Sequence, residues 1–245
     1  ENIAVVTGID GTHIINISDL RNPRRLSCIE GRGYKPEIYG DYVIYYSTDP
    51  SGLSIFDISN PESPDLVNFI ENLPNRRFKV HNDELFLTVD NIVQIYSLLD
   101  PTNLEILDEI RFDRNIYDMY FEGEMAFFRG RDGYLSILDI ADVDRFEFVR
   151  DYDFQLPLRK ISKQGDLLFF ANDSRGLTIM DASNLQDINV IKLVADPSKS
   201  RDVGIFGNFI TVLDRYRDFM IYDMSDSIGI ELKNMVDVFE NVNLS

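Results

Sequence analysis

The stretch GLSIFDIS at residues 52–59 returns in five other places along the chain of 245 residues. Its fourth position is isoleucine in every copy, its fifth is large and apolar, and its sixth is Asp, Asn or Ser. The copies are GTHIINIS (11–18), GLSIFDIS (52–59), IVQIYSLL (92–99), YLSILDIA (134–141), GLTIMDAS (176–183) and DFMIYDMS (218–225). A small polar residue at the sixth position is expected to start a turn by bonding its own backbone.

The copies begin at residues 11, 52, 92, 134, 176 and 218, so that 40 to 42 residues separate them. A period of about 40–45 residues built from short strands is typical of propeller blades. The second unit shows the plan, with strands expected at YVIYYS (42–47), LSIFDIS (53–59), DLVNFIE (65–71) and FKVHND (78–83). The sequence therefore predicts an all-β fold, a six-bladed β-propeller of four-stranded blades, as a single domain over residues 1–245.

The innermost strand of each blade is marked by the turn residue that follows it, and five such residues are present: Gly40, Asn82, Gly123, Gly165 and Gly207. A sixth would precede residue 1, so the chain starts at the second strand of its first blade. We expect the last residues, NVNLS (241–245), to pair beside the N-terminal strand and close the ring, which removes exposed sheet edges. The alternative is a first blade that is short of one strand.

The run GLSIFDISNPESPDLV (52–67) resembles the LVIVD repeat, a pattern of Gly-Leu, alternating apolar residues, Asp-Ile-Ser-Asn-Pro and a second proline. GLTIMDASNLQDINVI (176–191) matches its strand without the prolines, and all six units share parts of it. The resemblance implies a β-propeller of the kind found in secreted or surface-displayed bacterial and archaeal proteins. It implies an extracellular or cell-surface location and a non-enzymatic role as a protein- or glycan-interaction scaffold, with no catalytic residues to carry over.

Composition excludes some partners. The net charge of −18 argues against nucleic acid, whose phosphates need clustered Lys and Arg, and against anionic lipid surfaces. No run approaches the 18 or so apolar residues of a membrane helix, so direct membrane insertion is not expected. The one cysteine, Cys28, allows no internal disulfide. We expect a monomeric domain or a module of a larger surface protein.

Motifs for catalysis or metal binding are scarce in the sequence. The two histidines, His13 and His81, are far apart, and no Gly-x-Ser-x-Gly elbow, phosphate loop or HExxH motif occurs. The turn RGRDG (129–133) is a poor calcium loop because its two arginines would repel a cation. We predict no catalytic set, no metal and no cofactor. A hydrolase or lyase that uses acidic residues and His81 near the central channel is an open alternative.

A set of cationic and aromatic residues precedes the innermost strands of this acidic chain. In a propeller the loops that enter these strands gather at one mouth of the central channel. Guanidinium groups there would suit carboxylate or phosphate, and tyrosines would stack on a sugar. The predicted ligand-binding residues are Tyr34, Lys35, Arg76, Arg77, Tyr117, Arg159, Lys160 and Arg201. Two hypotheses remain open: a binder of a small anion or acidic sugar, or ion pairs that hold neighbouring blades together.

Overall fold

The computed structural model describes residues 2–71, 73, 77–131, 133–142, 146–173, 176–195, 200–214, 218–224 and 231–237, with backbone alone at 218 and 231–237. These residues form 23 strands in six antiparallel sheets, one of three strands and five of four. The all-β repeat fold is confirmed, and it is consistent with a propeller. Arg76 and the tail at 241–245 lie outside the described residues, so ring closure stays a prediction.

The chain divides into two compact units, residues 1–113 and 114–245, with three sheets in each. The prediction of a single domain is not tested by this division. Strands lie side by side in chain order within every sheet. In the first unit the sheets contain β1 (Ile3–Thr7), β2 (Gly11–Asn16) and β3 (Arg24–Glu30); β4 (Gly33–Tyr39), β5 (Tyr42–Thr48), β6 (Ser51–Asp57) and β7 (Asp65–Glu71); and β8 (Phe78–His81), β9 (Glu84–Val89), β10 (Ile92–Ser97) and β11 (Glu105–Arg111).

The second unit repeats the four-stranded plan three times. Its sheets contain β12 (Asp118–Glu122), β13 (Met125–Arg129), β14 (Tyr134–Asp139) and β15 (Glu147–Asp153); β16 (Lys160–Gln164), β17 (Leu167–Ala171), β18 (Leu177–Asp181) and β19 (Asn189–Val194); and β20 (Ser200–Phe206), β21 (Phe209–Asp214), β22 (Asp218–Asp223) and β23 (Glu231–Asp237). No helix in the described part of the chain is long and apolar enough to cross a membrane.

The repeated isoleucine lies in the hydrophobic core. It is fully buried in the first five copies and half-buried at Ile221. The strand before it is buried on both faces, as β5 and β17 show. These two strands read as continuous apolar runs, which is the pattern expected of strands covered on both sides.

A β-bulge follows the repeated isoleucine in every sheet. Ile55 pairs with Asn68 and Phe56 pairs with Leu66, so Val67 is an extra residue on the outermost strand β7. The same register shift separates the fourth and fifth repeat positions in the other five sheets. A bulge of this kind bends the strand and increases its twist. The repeat motif thus sets the shape of the sheet edge as well as the core.

The turns behave as the repeat predicts. The side chain of the sixth residue accepts a hydrogen bond from the backbone N–H two residues later, at 2.7 Å from Asp57 to Ser59 and at 2.9 Å from Asp181 to Ser183. Asn16, Ser97 and Asp139 accept the equivalent bond. The five turn residues after the innermost strands all have a positive φ, between 52° and 57°. Glycine and asparagine adopt this conformation more readily than most residues, which explains their presence there.

Candidate functional site

A cleft of about 320 Å³ opens in the second unit and is lined by three arginines. We call it the arginine cleft, and its lining residues are Tyr117, Arg129, Arg131, Pro157, Leu158 and Arg159. Its volume is at the lower end of the range for small-molecule sites.

The backbone around the first two strands of neighbouring sheets positions these side chains. Tyr117 lies just before β12, and its N–H donates to the carbonyl of Arg129 at the end of β13, at 2.7 Å. Arg159 lies just before β16, and its N–H donates to the carbonyl of Ala171 at the end of β17, also at 2.7 Å. Each of these bonds lengthens a hairpin by one residue pair. The starts of β12 and β16 therefore lie at the same end of the second unit.

Arg129 has a fixed guanidinium group. Only 8% of the residue is exposed, and its Nη1 donates to the carbonyl oxygens of Leu158 at 2.9 Å and of Gly130 at 3.0 Å. The carbon Cζ of Arg129 lies 5.8 Å from the centre of the Tyr117 ring. These contacts hold a positive charge at the wall of the cleft in one orientation.

Arg131 and Arg159 complete the positive lining. Arg131 is exposed, and its Cζ lies 5.1 Å from the centre of the Tyr117 ring. Such cation–π contacts are favourable when the cation sits within about 6 Å of the ring. Arg159 pairs with Asp173, with 2.8 Å between its Nη2 and Oδ2 of the aspartate. Among the described residues of the cleft, three guanidinium groups stand against one paired carboxylate, so these residues carry a net positive charge in a chain whose net charge is −18.

Two of the predicted binding residues, Tyr117 and Arg159, meet in the arginine cleft. Lys160 does not join them, because its Nζ lies 3.1 Å from Oδ1 of the buried Asp118. Arg201 is exposed on β20, within a register shift between Ser200 and Asp202.

Three of the predicted binding residues, Tyr34, Lys35 and Arg77, lie in the first unit. Tyr34 is half-buried, packs against the apolar core, and has Cζ of Arg32 5.0 Å from its ring centre. Lys35 is exposed and has a φ of 52°. Arg77 is half-buried, and its carbonyl accepts the N–H of Thr88 at 3.0 Å.

Ion pairs between neighbouring sheets also occur, as the second hypothesis for the basic residues expects. Asp118 on β12 accepts from Lys160 Nζ and, at 3.2 Å, from the N–H of Ile161 on β16. Glu37 on β4 repeats this arrangement in the first unit, accepting at 2.8 Å from both Lys79 Nζ and the N–H of Val80 on β8. Each carboxylate thus bridges the innermost strands of two adjacent sheets.

Sequence reasoning missed Arg129 and Arg131. Both belong to the turn RGRDG between β13 and β14, which the sequence presents only as a weak calcium loop. The pairing of β12 with β13 could have indicated both residues, because it places the end of β13 and the turn after it beside Tyr117.

The two histidines lie on strands of different sheets. His13 lies on β2, with Nε2 3.2 Å from Oδ1 of the exposed Asp10. His81 is half-buried at the end of β8. Within the described ranges, no group of three or more His, Cys, Asp or Glu side chains is placed to hold a metal ion.

Comparison with known proteins supports the repeat and the fold. Residues 37–70 and 197–238 match the LVIVD repeat. Comparison with curated proteins gives no match.

Several solved structures share the fold over nearly the whole chain. A crystal structure of a protein from Lactobacillus plantarum is 15% identical, with a TM-score of 0.75 over 95% of this chain and 80% of that chain. A functionally unknown protein from Desulfotomaculum acetoxidans is 12% identical, with a TM-score of 0.73 over 96% and 80%. A hypothetical selenium-binding protein from Sulfolobus tokodaii is 13% identical, with a TM-score of 0.71 over 96% and 75%. At these identities the likeness concerns the propeller-like fold alone.

Proposed function

We propose that this chain, which carries LVIVD repeats on a propeller-like fold, is a non-enzymatic scaffold of a secreted or cell-surface protein and binds a protein or glycan partner. The resemblance of its repeats to those of surface-displayed proteins supports the location. The supporting observation for the binding role is an exposed apolar strand edge in the second unit.

The proposal includes the arrangement of the sheets. The six sheets are six blades of one propeller, and residues 241–245 form the missing innermost strand beside β1. Support comes from the first sheet, which has three described strands where every other sheet has four. A closed ring gives a rigid body on which the outermost strands and the loops are available to partners.

The apolar edge is the strand β19, the last strand of its sheet. Ile191 is 53% exposed, Leu193 is 52% exposed and Val190 is 42% exposed. An extended segment of another protein can add to an exposed apolar edge strand through main-chain hydrogen bonds and side-chain contacts. We therefore assign β19 as the contact strand for an extended, apolar segment of a protein partner.

Charge distinguishes β19 from the other outermost strands. Its six residues, NVIKLV, include one charged residue, Lys192, whereas the strands β3, β7, β11, β15 and β23 each carry two or more. Charged residues on an edge strand protect it from pairing with other chains. Because the chain as a whole has a net charge of −18, the low charge of β19 favours an edge that binds a partner over an edge that is protected from pairing.

Selection of peptides from a random phage-displayed library on the purified chain tests this contact. We expect selected peptides to be apolar and extended, and to bind the double variant Ile191→Lys/Leu193→Lys at least about tenfold more weakly, because two apolar contacts are lost. The matched control is Ile106→Lys on β11, which is equally exposed and should bind like the parent chain. Peptides that bind the double variant and the parent equally would contradict the assignment.

A further inference from the structure

We propose that the arginine cleft is a binding site for a small carboxylate-bearing ring, of the class of an acidic monosaccharide unit. This inference does not depend on the peptide contact at β19, since the cleft and that strand use different residues.

The cleft holds a preorganised cation. The guanidinium group of Arg129 is buried and already tied to two backbone carbonyls, of Gly130 and Leu158. A group that is ordered before binding loses little conformational entropy when a ligand arrives. Arg131 is exposed and lies over the Tyr117 ring, where it can contact an anion that enters the cleft.

Asp173 is an example of a carboxylate bound by one of the arginines of the cleft. Its backbone is tied to Ser200 by two hydrogen bonds, at 3.2 Å and 3.1 Å, and its side chain reaches Arg159 at 2.8 Å. The guanidinium group of arginine donates hydrogen bonds to carboxylates in a planar, directional way. A ligand carboxylate would compete with Asp173 for Arg159 or bind beside it to Arg131.

The uncharged lining favours a ring over a bare inorganic anion. Pro157, Leu158 and the ring of Tyr117 supply apolar surface next to the guanidinium groups. A volume of about 320 Å³ suits a ligand of one sugar ring, and phosphate alone would leave the apolar walls unused. An acidic sugar matches both parts of the cleft, with its carboxylate at the arginines and its ring against the apolar wall.

Calorimetric titration of the full chain with glucuronate, glucose and inorganic phosphate tests the inference. We expect glucuronate to bind with an affinity that falls as salt increases, phosphate to bind at least about tenfold more weakly, and glucose not to bind. If phosphate binds as strongly as glucuronate, the cleft is a simple anion site, and the proposal of an acidic sugar as its ligand is wrong. Absence of glucuronate binding at millimolar concentration to both the parent chain and Asp173→Asn would overturn the site itself.

Three variants locate the binding. Arg131→Gln should weaken glucuronate binding about tenfold or more, the usual effect of losing one charge-assisted hydrogen bond. Asp173→Asn should strengthen it several-fold, because the competing carboxylate is removed while Asn still tolerates the φ of 50° at this position. Arg150→Gln, an exposed change on β15 outside the cleft, should have no effect. Equal losses in Arg131→Gln and Arg150→Gln would show a general charge effect and contradict the site.

The two proposals are separable by their variants. Ile191→Lys/Leu193→Lys should leave glucuronate binding unchanged, and Arg131→Gln should leave peptide binding unchanged. Melting temperatures equal to that of the parent chain would show that each variant is folded.

Discussion

The sixth residue of each repeat ends its strand through a single hydrogen bond. At Asp57 the bond from the N–H of Ser59 is the main reason that the pKa of the carboxyl is lowered from its usual value of 3.8. Because the pKa is lower in the folded state, the hydrogen bond stabilises the fold above pH 3.8. This stabilisation is lost as the pH falls through the folded-state pKa. The pKa of Asp181 is lowered in the same direction, chiefly by a hydrogen bond from the Ser183 side chain.

We predict that Asp57→Ala lowers the free energy of unfolding by about 1 kcal/mol at pH 7, the usual contribution of one hydrogen bond. Asp57→Asn should lose less, because an amide oxygen accepts the same bond in the first repeat, from the N–H of Ser18 to Asn16 at 2.8 Å. Urea unfolding at pH 7 and near pH 3 measures both effects. The difference in the free energy of unfolding between the parent chain and Asp57→Ala should be smaller at the lower pH. Equal losses in the two variants would contradict a turn-capping role.

Two pairs of neighbouring sheets are joined at their innermost strands by a carboxylate that bonds both a lysine and a backbone N–H. Asp118 is 8% exposed and bridges to Lys160 and Ile161, and Glu37 forms the corresponding bridge in the first unit. Among the described residues, these bridges tie one sheet to the next at two places, one in each of the two compact units.

We predict that Asp118→Ala lowers the free energy of unfolding by about 2 kcal/mol, because a buried N–H and a half-buried ammonium lose their acceptor. The control is Glu62→Ala, which removes an exposed pair with Arg24 of 3.5 Å and should change stability by less than about 0.5 kcal/mol. Urea unfolding of the three proteins compares these values. A loss in Asp118→Ala no larger than that in Glu62→Ala would show that the bridge does not stabilise the packing of the sheets.

Strands and turns could be predicted from the sequence, and the arginine cleft could be predicted only in part. The expected strand YVIYYS (42–47) is found as Tyr42–Thr48, because its apolar run and flanking turn residues are local signals. Tyr117 and Arg159 share the position before an innermost strand, which the repeat also reveals. Arg131 lies in a turn whose residues differ from repeat to repeat, so the 42-residue period alone does not identify it. Only the pairing of β13 with β12 brings it near Tyr117.

For the whole molecule, we propose that the six repeats close into one propeller, a rigid body that carries the binding surfaces. The described strands give β1 a partner on one side only, namely β2. If residues 241–245 pair on its other side, all the amides of β1 are protected from solvent. If they do not, alternate amides of β1 remain unpaired.

Hydrogen exchange of the β1 amides, recorded for the full chain and for a chain ending at residue 240, tests whether the ring is closed. Closure predicts slow exchange along the whole of Ile3–Thr7 in the full chain, and loss of protection at alternate residues after deletion of the tail. Rapid exchange at alternate β1 amides in the full chain, unchanged by the deletion, would contradict the closed ring.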